Sequence, residues 1–298
     1  MDAHVTESTR STDPPLAKAS FDHIYDEPDP RNYFRTLGAH DYAVPHYGQQ
    51  VFRRLLDAMP AERPTVVDLC CSYGVNAALL KTDLGLRDLY DHYRSDELTD
   101  LTPAELAEVD RQFYAAARTD AAPAVIGLDT AGNAVDYAVE VGLLDEGMVE
   151  NLEDGDPSTQ LAKAVGTADL VTVTGGIGYI TDKTFDRVLD CADERPWVAS
   201  LCLRTVPFEP IAECLARQGL VTEQLDGVTF PQRRFASEEE RAYALRELDA
   251  LGIEPAGRES EGCYHVNVYL SRPPEAAADA PIDEILGGLP DPPHTPVC

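Results

Sequence analysis

Several features that would place this protein in a familiar class are missing from its sequence. There is no apolar run of about 18 residues, so a membrane-spanning helix is not expected. Residues 1–20 lack the apolar core of a signal peptide. The seven cysteines form no C-x-x-C pair, which removes zinc-finger spacing and any reason to expect a metal. We therefore expect a cytoplasmic protein with reduced thiols.

Basic residues are also scarce. The 298 residues include 24 Lys plus Arg against 53 Asp plus Glu, a formal net charge of −29. Such an acidic surface repels phosphate backbones, so nucleic acid is not an expected partner. A small-molecule substrate is expected instead, without membrane contact, and the sequence leaves a homodimer open.

The dominant pattern is an alternation of apolar strands with helical segments. Strands are predicted at 65–71, 121–129, 147–154, 168–175, 196–204 and 220–227, and a final strand at 263–272 alternates in polarity as an antiparallel strand does. This order predicts an α/β fold: a doubly wound, seven-stranded, mostly parallel sheet with an antiparallel last strand.

The chain divides into four predicted segments. Residues 1–19 are expected to be a disordered tail, 20–64 an N-terminal helical lid, 65–273 the sheet domain and 274–298 a loose, Pro-rich acidic tail. Two helices, at 86–98 and 103–118, are inserted after the first strand–helix unit. The sequence does not decide whether they belong to a lid or to a dimer surface.

Small and polar residues follow each of the first four strands. Because ligands of such sheets bind at the carboxyl ends of the strands, these residues are candidates for a binding site. They are Asp68, Cys70, Ser72, Tyr73 and Gly74 after the first strand, Asp129 after the second, Asn151 and Leu152 after the third, and Thr174, Gly175 and Gly176 after the fourth. Taken singly, the aspartates could cap helices or turns and the glycines could simply form a turn; their order along the sheet favours a site.

This arrangement resembles the class I S-adenosylmethionine-dependent methyltransferases, over about residues 50–272. The stretches FDHIYDEPDPRNYFRTLGAHDY, DLCCSYGVNAALL and VTVTGGIGYIT resemble a bacterial subgroup identified as methyltransferases. The resemblance implies a Rossmann-like domain over 65–273 with S-adenosylmethionine as methyl donor or substrate.

The resemblance also implies roles for individual residues. Asp129 would bind the ribose hydroxyls, Asn151 and Leu152 would flank the adenine, and residues 175–179 would lie beneath the sulfonium. The methionine part of the cofactor would be lined by Asp68, Cys70, Ser72, Tyr73 and Gly74. The sequence departs from the family pattern in two ways: the first turn keeps one glycine of three, and the inserted helices lengthen the distance to Asp129. A dinucleotide-binding dehydrogenase, the nearest competitor, requires G-x-G-x-x-G more strictly, and that pattern is missing.

Aromatic residues are concentrated before the first strand, and their faces can stabilise a sulfonium. The candidates are Tyr25, Tyr33, Tyr42, Tyr73 and Tyr179, although each could equally be a packing residue. If the acceptor is a hydroxyl or an amine, a general base helps, and His46 and His23 are candidates. Tyr73, Tyr179, Tyr25 and His46 are therefore the predicted catalytic residues.

Three further interpretations stay open at this stage. Cys70 or Cys71 could be nucleophiles, although buried cysteines usually pack as small apolar groups. The aromatic segment and the SYG turn resemble azetidine-2-carboxylate synthases, which cyclise S-adenosylmethionine to azetidine-2-carboxylate and methylthioadenosine. A non-catalytic nucleoside-binding protein is the third alternative.

Overall fold

A computed structural model describes residues 21–289. Its centre is a sheet of eight strands in the order β3-β2-β1-β4-β5-β8-β6, with β7 also paired to β8. The strands are β1 Thr65–Leu69, β2 Ala124–Asp129, β3 Glu146–Val149, β4 Leu170–Thr174, β5 Trp197–Leu203, β6 Val221–Gln224, β7 Phe230–Arg234 and β8 Cys263–Arg272. Strands β1 to β5 are parallel and β8 runs antiparallel to β5, which confirms the predicted doubly wound α/β fold.

Helices cover both faces of this sheet. They are α1 Arg31–Gly38, α2 Val44–Ala58, α3 Val75–Lys81, α4 Leu86–Tyr93, α5 Pro103–Ala116, α6 Gly132–Glu140, α7 Thr159–Val165, α8 Asp182–Cys191, α9 Glu209–Arg217, α10 Glu238–Ala250, α11 Pro274–Asp279 and α12 Ile282–Leu286. None of the helices in residues 21–289 is both long and apolar enough to cross a membrane.

Alternation along the parallel strands divides the core into two layers. Val66 of β1 packs in one apolar cluster with α2, α3 and α6, whereas its neighbour Val67 packs in a second cluster with α7, α8 and α9. Both valines are fully buried. The strands are therefore apolar on both faces, as the sequence pattern indicates.

The strand order reverses between β1 and β4. The chain builds outward from β1 through β2 to β3, then returns to place β4 on the other side of β1. This reversal leaves a crevice outside the carboxyl ends of β1 and β4, where ligands of doubly wound sheets bind.

One strand, β7, is not predicted from the sequence. β7 reads FPQRR, and its proline and charged residues argue against a strand. It forms because the buried Arg233 pairs with Glu240 inside the protein and because the main-chain carbonyl of Gln232 accepts the Ala43 amide. The sheet consequently has eight strands instead of the predicted seven.

The C-terminal segment also differs from the prediction of a loose tail from residue 274. Helices α11 and α12 occupy residues 274–286, and Ile282 and Leu286 of α12 are buried. Arg54 of α2 donates a hydrogen bond to the carbonyl of Gly287. Apolar anchoring outweighs the proline content here. The predicted N-terminal tail, and Cys298 with the last residues of the chain, lie outside the described residues.

The inserted helices α4 and α5 brace the N-terminal segment. Phe34 of α1 stacks on Tyr93 of α4 with ring centroids 4.3 Å apart. Asp110 of α5 is fully buried and accepts hydrogen bonds from the hydroxyls of Tyr93 and of Tyr137 in α6. Arg31 donates to the main-chain carbonyls of Leu98 and Leu101, between α4 and α5. The insertion thus holds α1 in place beside the first turn.

Candidate functional site

A cavity of about 510 Å³ opens outside the carboxyl ends of β1, β2, β3 and β4. Its volume falls within the roughly 300–1,000 Å³ that small-molecule sites span. Ten of the fourteen predicted catalytic and cofactor-binding residues line it together: Tyr25, Cys70, Ser72, Asp129, Asn151, Leu152, Thr174, Gly175, Gly176 and Tyr179. Four others, Asp68, Tyr73, Gly74 and His46, do not line it.

The first turn follows the path of a glycine turn without the glycines. Cys70, Ser72 and Gly74 all have left-handed backbone conformations, with φ values of 56°, 48° and 73°. Such angles cost about 1–2 kcal/mol for a residue that carries a Cβ. The turn therefore keeps a backbone shape that its own side chains disfavour.

Asp129 is joined directly to this turn. Its Oδ2 accepts a hydrogen bond from the Ser72 amide at 2.8 Å, and its Oδ1 accepts from the amides of Thr130 and Ala131. The carboxylate thus helps to hold the strained turn and caps the chain leading into α6. Because it also lines the cavity, its remaining lone pairs can accept hydrogen bonds from a ligand.

Asp68 lies behind the cavity rather than in it. The side chain is buried, and its Oδ1 accepts hydrogen bonds from Asn76 and from Thr172. Burial raises the pKa of this carboxyl from 3.8 to about 7, although the two hydrogen bonds oppose the rise. Asn76, which does line the cavity, also donates to Thr174 Oγ1, so Asp68 acts through Asn76 to link β1 with β4.

The two cysteines of the turn are packing groups with neutral thiols. A Cβ on Gly176 would lie 2.7 Å from Cys70 Sγ, and a Cβ on Gly127 would lie 2.6 Å from Cys71 Sγ. Each sulfur therefore fills space that a neighbouring glycine leaves free. Burial raises the pKa of both thiols well above the usual value. This argues against the nucleophile interpretation.

The end of β3 is ordered by a small polar network. Asn151 accepts the Glu153 amide on Oδ1 and donates to Asp154, while Leu152 is buried. Glu153 accepts hydrogen bonds from Thr181 and Thr184 at the start of the neighbouring helix α8. Although partial burial opposes it, these bonds hold the pKa of Glu153 below its usual value. Glu153 is not among the site residues predicted from the sequence.

The N-terminal segment reaches the cavity through a strap, residues 24–27. Tyr25 and Asp26 of the strap line the cavity. Asp26 is fixed to the start of α6 because its Oδ1 accepts the Asn133 amide and its carbonyl accepts the Asn133 side-chain amide. Asp26 is not among the residues predicted from the sequence. Its position next to Tyr25 is the one signal that could have indicated it.

Tyr73 supports the strap instead of the cavity. Its ring is buried and edge-on to Tyr33, and its hydroxyl bonds the main chain of the strap at Ile24 and Glu27. The expectation that Tyr73 presents its ring to the cavity is not met, because the left-handed turn aims the side chain away from the crevice. Tyr33 and Tyr42 line the cavity as expected, with Tyr25 and Tyr179.

The predicted histidine bases are outside the cavity. His46 is exposed on α2, where its ring nitrogen lies 2.9 Å from Gln50 Nε2, and His23 is exposed at the start of the strap. Neither faces the carboxyl ends of the strands, because both lie on the solvent side of the N-terminal segment. No cluster of three or more His, Cys, Asp or Glu side chains suited to a metal occurs within residues 21–289.

The cavity is acidic at several points along its length. Four carboxylates line it, those of Asp26, Asp129, Glu150 and Glu153. Within the described part of the chain, no Lys, Arg or His side chain lines it. The field inside therefore favours a cation over an anion.

No protein-family model matches the chain, and no curated protein matches it. Several solved structures are similar to it. A TehB-like SAM-dependent methyltransferase from Corynebacterium glutamicum shares 15% identity over 80% of this chain and 94% of its own, with a TM-score of 0.39. A SAM-dependent methyltransferase from Geobacter sulfurreducens, in complex with S-adenosyl-L-homocysteine, shares 14% over 82% and 98%, with a TM-score of 0.38. The sugar N-methyltransferase KedS8 from Streptoalloteichus shares 12% over 78% and 96%, with a TM-score of 0.39. These values are too low for an argument about activity, and the fold assignment stands on the strand order.

Proposed function

We propose that this protein is an S-adenosylmethionine-dependent methyltransferase that acts on a small molecule. The observation that carries the proposal is the cavity over four neighbouring strand ends, which combines four carboxylates with four tyrosines and, among the described residues, has no cationic side chain in its lining. A nucleoside bearing a sulfonium is a ligand with the matching shape and charge.

The negative charge of the lining argues against a dinucleotide-binding enzyme. A pyrophosphate needs close backbone approach at glycines and gains from positive charge. Here the first turn carries side chains at Cys70 and Ser72, and Asp129 lies directly beside it. Two phosphates at this turn would face a carboxylate at short range, which is repulsive in a partly buried site.

The residues present fit S-adenosylmethionine along the direction of the sheet. Asn151 and Leu152 at the end of β3 offer a polar edge and an apolar surface for an adenine. Asp129 at the end of β2 offers carboxylate oxygens to ribose hydroxyls. Bound there, the group supplies an electrophilic methyl on a positively charged sulfur.

The tyrosines suit the opposite end of the cavity. Tyr25, Tyr33, Tyr42 and Tyr179 line it. Aromatic faces attract sulfonium cations through the ring quadrupole, by about 0.5–2 kcal/mol each. Their contribution to methyl transfer is orientation and the exclusion of water, which this reaction needs more than strong acid–base chemistry.

The cyclase alternative depends on the aromatic N-terminal segment and on the SYG turn, whose tyrosine is Tyr73. Tyr73 bonds the strap and does not line the cavity, so we do not propose a cyclase. A non-catalytic role remains distinguishable by experiment, because such a protein would bind the nucleoside without consuming it.

The test combines a product assay with a matched pair of variants. The protein is incubated with S-adenosylmethionine, with and without a mixture of small amines and alcohols, and the nucleoside products are identified by mass. We expect S-adenosylhomocysteine that depends on an added acceptor. Methylthioadenosine from S-adenosylmethionine alone would contradict the proposal, and binding without any product would favour the non-catalytic alternative.

Asp129→Asn tests the binding mode. It removes the charge that accepts the ribose hydroxyls, so we expect about a tenfold or greater loss of S-adenosylmethionine affinity. Asp226→Asn is the control, because Asp226 is exposed and does not line the cavity. Equal affinity in the two variants would argue against this placement of the ribose.

A further inference from the structure

A second, small cavity of about 30 Å³ adjoins the first. Tyr25, Tyr42, Gly175 and Tyr179 line both cavities, so the small one opens beside the aromatic end of the large one. Its remaining lining is Phe21, Leu37, Gln232 and Arg233. Its volume suits the head of a ligand, about one or two heavy atoms, rather than a whole molecule.

Gln232 contributes the amide side chain to the lining of this small cavity, beside the hydroxyls of Tyr25, Tyr42 and Tyr179. It is 2% exposed, and within residues 21–289 no group donates a hydrogen bond to its Oε1. A buried amide oxygen without a partner destabilises the folded state, because it loses its hydrogen bonds to water and gains none in return. A structure retains such a group more readily where a ligand supplies the missing donor.

The position of Gln232 is fixed by its surroundings. Its carbonyl accepts the Ala43 amide at 2.7 Å, which ties β7 to the start of α2. A Cβ on Gly175 would lie 3.0 Å from Gln232 Nε2 and 3.5 Å from the Tyr42 hydroxyl. A glycine at this point, which lines both cavities, therefore leaves space beside the amide nitrogen of Gln232.

Arg233 does not make the small cavity a site for anions. Its guanidinium donates two hydrogen bonds to the buried Glu240 carboxylate, at 2.6 and 3.0 Å, and lies over the rings of Phe21 and Tyr264. The charge is thus compensated within the protein. The buried Gln232 Oε1, in contrast, has no donor within residues 21–289, so a ligand that carries a donor would satisfy it.

The donor is better supplied by an amine than by a hydroxyl. A hydroxyl acceptor needs a base to take its proton, and among the described residues no His, Asp or Glu lines the small cavity. Burial raises the pKa of Tyr42 well above its usual value, so Tyr42 keeps its proton. An amine reacts in its uncharged form, so no protein side chain has to remove a proton from it during methyl transfer.

We propose that this small cavity is the methyl-acceptor subsite, that Gln232 Oε1 accepts an N–H from the substrate, and that the substrate is a small primary or secondary amine. The inference rests on the proposed function. The nitrogen lone pair forms the new N–C bond as the C–S bond breaks and its electron pair passes to sulfur. The positive charge moves to the methylated ammonium, which faces the tyrosine rings and loses its proton to solvent.

The experiment uses benzylamine and benzyl alcohol, a pair that differs in the nucleophilic atom. Binding of each is titrated into protein saturated with S-adenosylhomocysteine, for the wild type and for Gln232→Met, which has similar volume but no acceptor oxygen. We expect wild-type protein to bind benzylamine more tightly than the alcohol, and Gln232→Met to weaken benzylamine binding about tenfold. Gln232→Glu, which restores an acceptor oxygen, should recover it.

The control is Gln224→Met, because Gln224 is exposed on the outer strand β6, away from both cavities. Affinity for S-adenosylhomocysteine should be unchanged in all three variants, which also shows that they fold. No benzylamine binding by the wild type, a preference for the alcohol, or equal binding by Gln232→Met would each overturn the proposal. If the nucleoside itself does not bind, the proposed function fails, and titration of benzylamine into the free protein still tests the subsite.

Discussion

The hydroxyl oxygen of Tyr73 lies 2.9 Å from the main-chain nitrogen of Glu27, from which it accepts a hydrogen bond. The same hydroxyl lies 3.2 Å from the Ile24 carbonyl and 3.0 Å from the Glu27 carbonyl. A residue of the first turn therefore holds both ends of the strap. Because Tyr25 and Asp26 lie between these points and line the cavity, the turn and the strap form one unit.

Tyr73→Phe should loosen the strap while preserving the core. The ring stays, but the hydroxyl bonds to the strap are lost, at a cost of about 1–2 kcal/mol. We expect faster hydrogen exchange at the amide of Glu27 and faster release of S-adenosylmethionine. Tyr243→Phe, on α10 and away from the cavity, serves as control. Unchanged exchange at Glu27 would refute this role.

Tyr73→Ala tests the packing of the same side chain. Removing a buried aromatic ring should lower the free energy of unfolding by about 3–5 kcal/mol. Urea unfolding of the two Tyr73 variants measures the difference. Should Ala cost no more than Phe, the ring contributes nothing beyond its hydroxyl.

Ser72→Gly should stabilise the protein. Ser72 has a φ of 48°, and its buried Oγ has no hydrogen-bond partner among the described residues. Glycine removes both the strain and the unpaired hydroxyl, so we expect a gain of about 1 kcal/mol in the free energy of unfolding. Ser200→Gly is the contrast: its Oγ is also buried and without a partner in residues 21–289, but it lies in the extended strand β5. There glycine should destabilise. A loss of stability in both variants would show that the left-handed turn carries no strain.

Asp68→Asn should remove a dependence of stability on pH. The pKa of Asp68 is raised from 3.8, the ordinary value for an aspartate carboxyl, to about 7 in the folded protein. The folded state therefore binds the proton more tightly. The resulting stability is present at low pH and is lost as the pH rises from about 4 to about 7.

The wild type should thus lose stability as the pH rises from about 5 to about 8, whereas Asp68→Asn should not. The stability of the variant relative to the wild type should therefore increase by a few kcal/mol over this range. Urea unfolding at both values measures the change, and the difference between variant and wild type cancels the effect of the other carboxylates. Asp226→Asn should run parallel to the wild type. If Asp68→Asn also runs parallel to the wild type, the pKa of Asp68 is not raised to about 7 in the folded protein.

The strand ends were predictable because they depend on the order of strands alone. Asp129, Asn151 and the residues after β4 come at the carboxyl ends of apolar runs, and parallel strands place those ends at one edge. Side-chain direction within the first turn was not predictable. It depends on left-handed angles at Cys70 and Ser72, which sequence patterns assign to glycine.

Features that depend on distant partners were also hidden. β7 forms around the buried pair of Arg233 with Glu240, and α12 is held by Ile282 and Leu286 against the rest of the core. Neither contact leaves a periodic signal in the local sequence. Gln232 could not be predicted for the same reason, because residues of α1, of the strap and of the loop after β4 form its environment.

The central claim is that the acidic cavity binds S-adenosylmethionine. Isothermal titration of the full chain with S-adenosylmethionine, in parallel with NAD and ATP, tests it most directly. We predict saturable binding of S-adenosylmethionine at one site per chain, weakened in Asp129→Asn and unchanged in Asp226→Asn, with no measurable binding of NAD or ATP. Absence of S-adenosylmethionine binding, or tighter binding of NAD, would contradict the account.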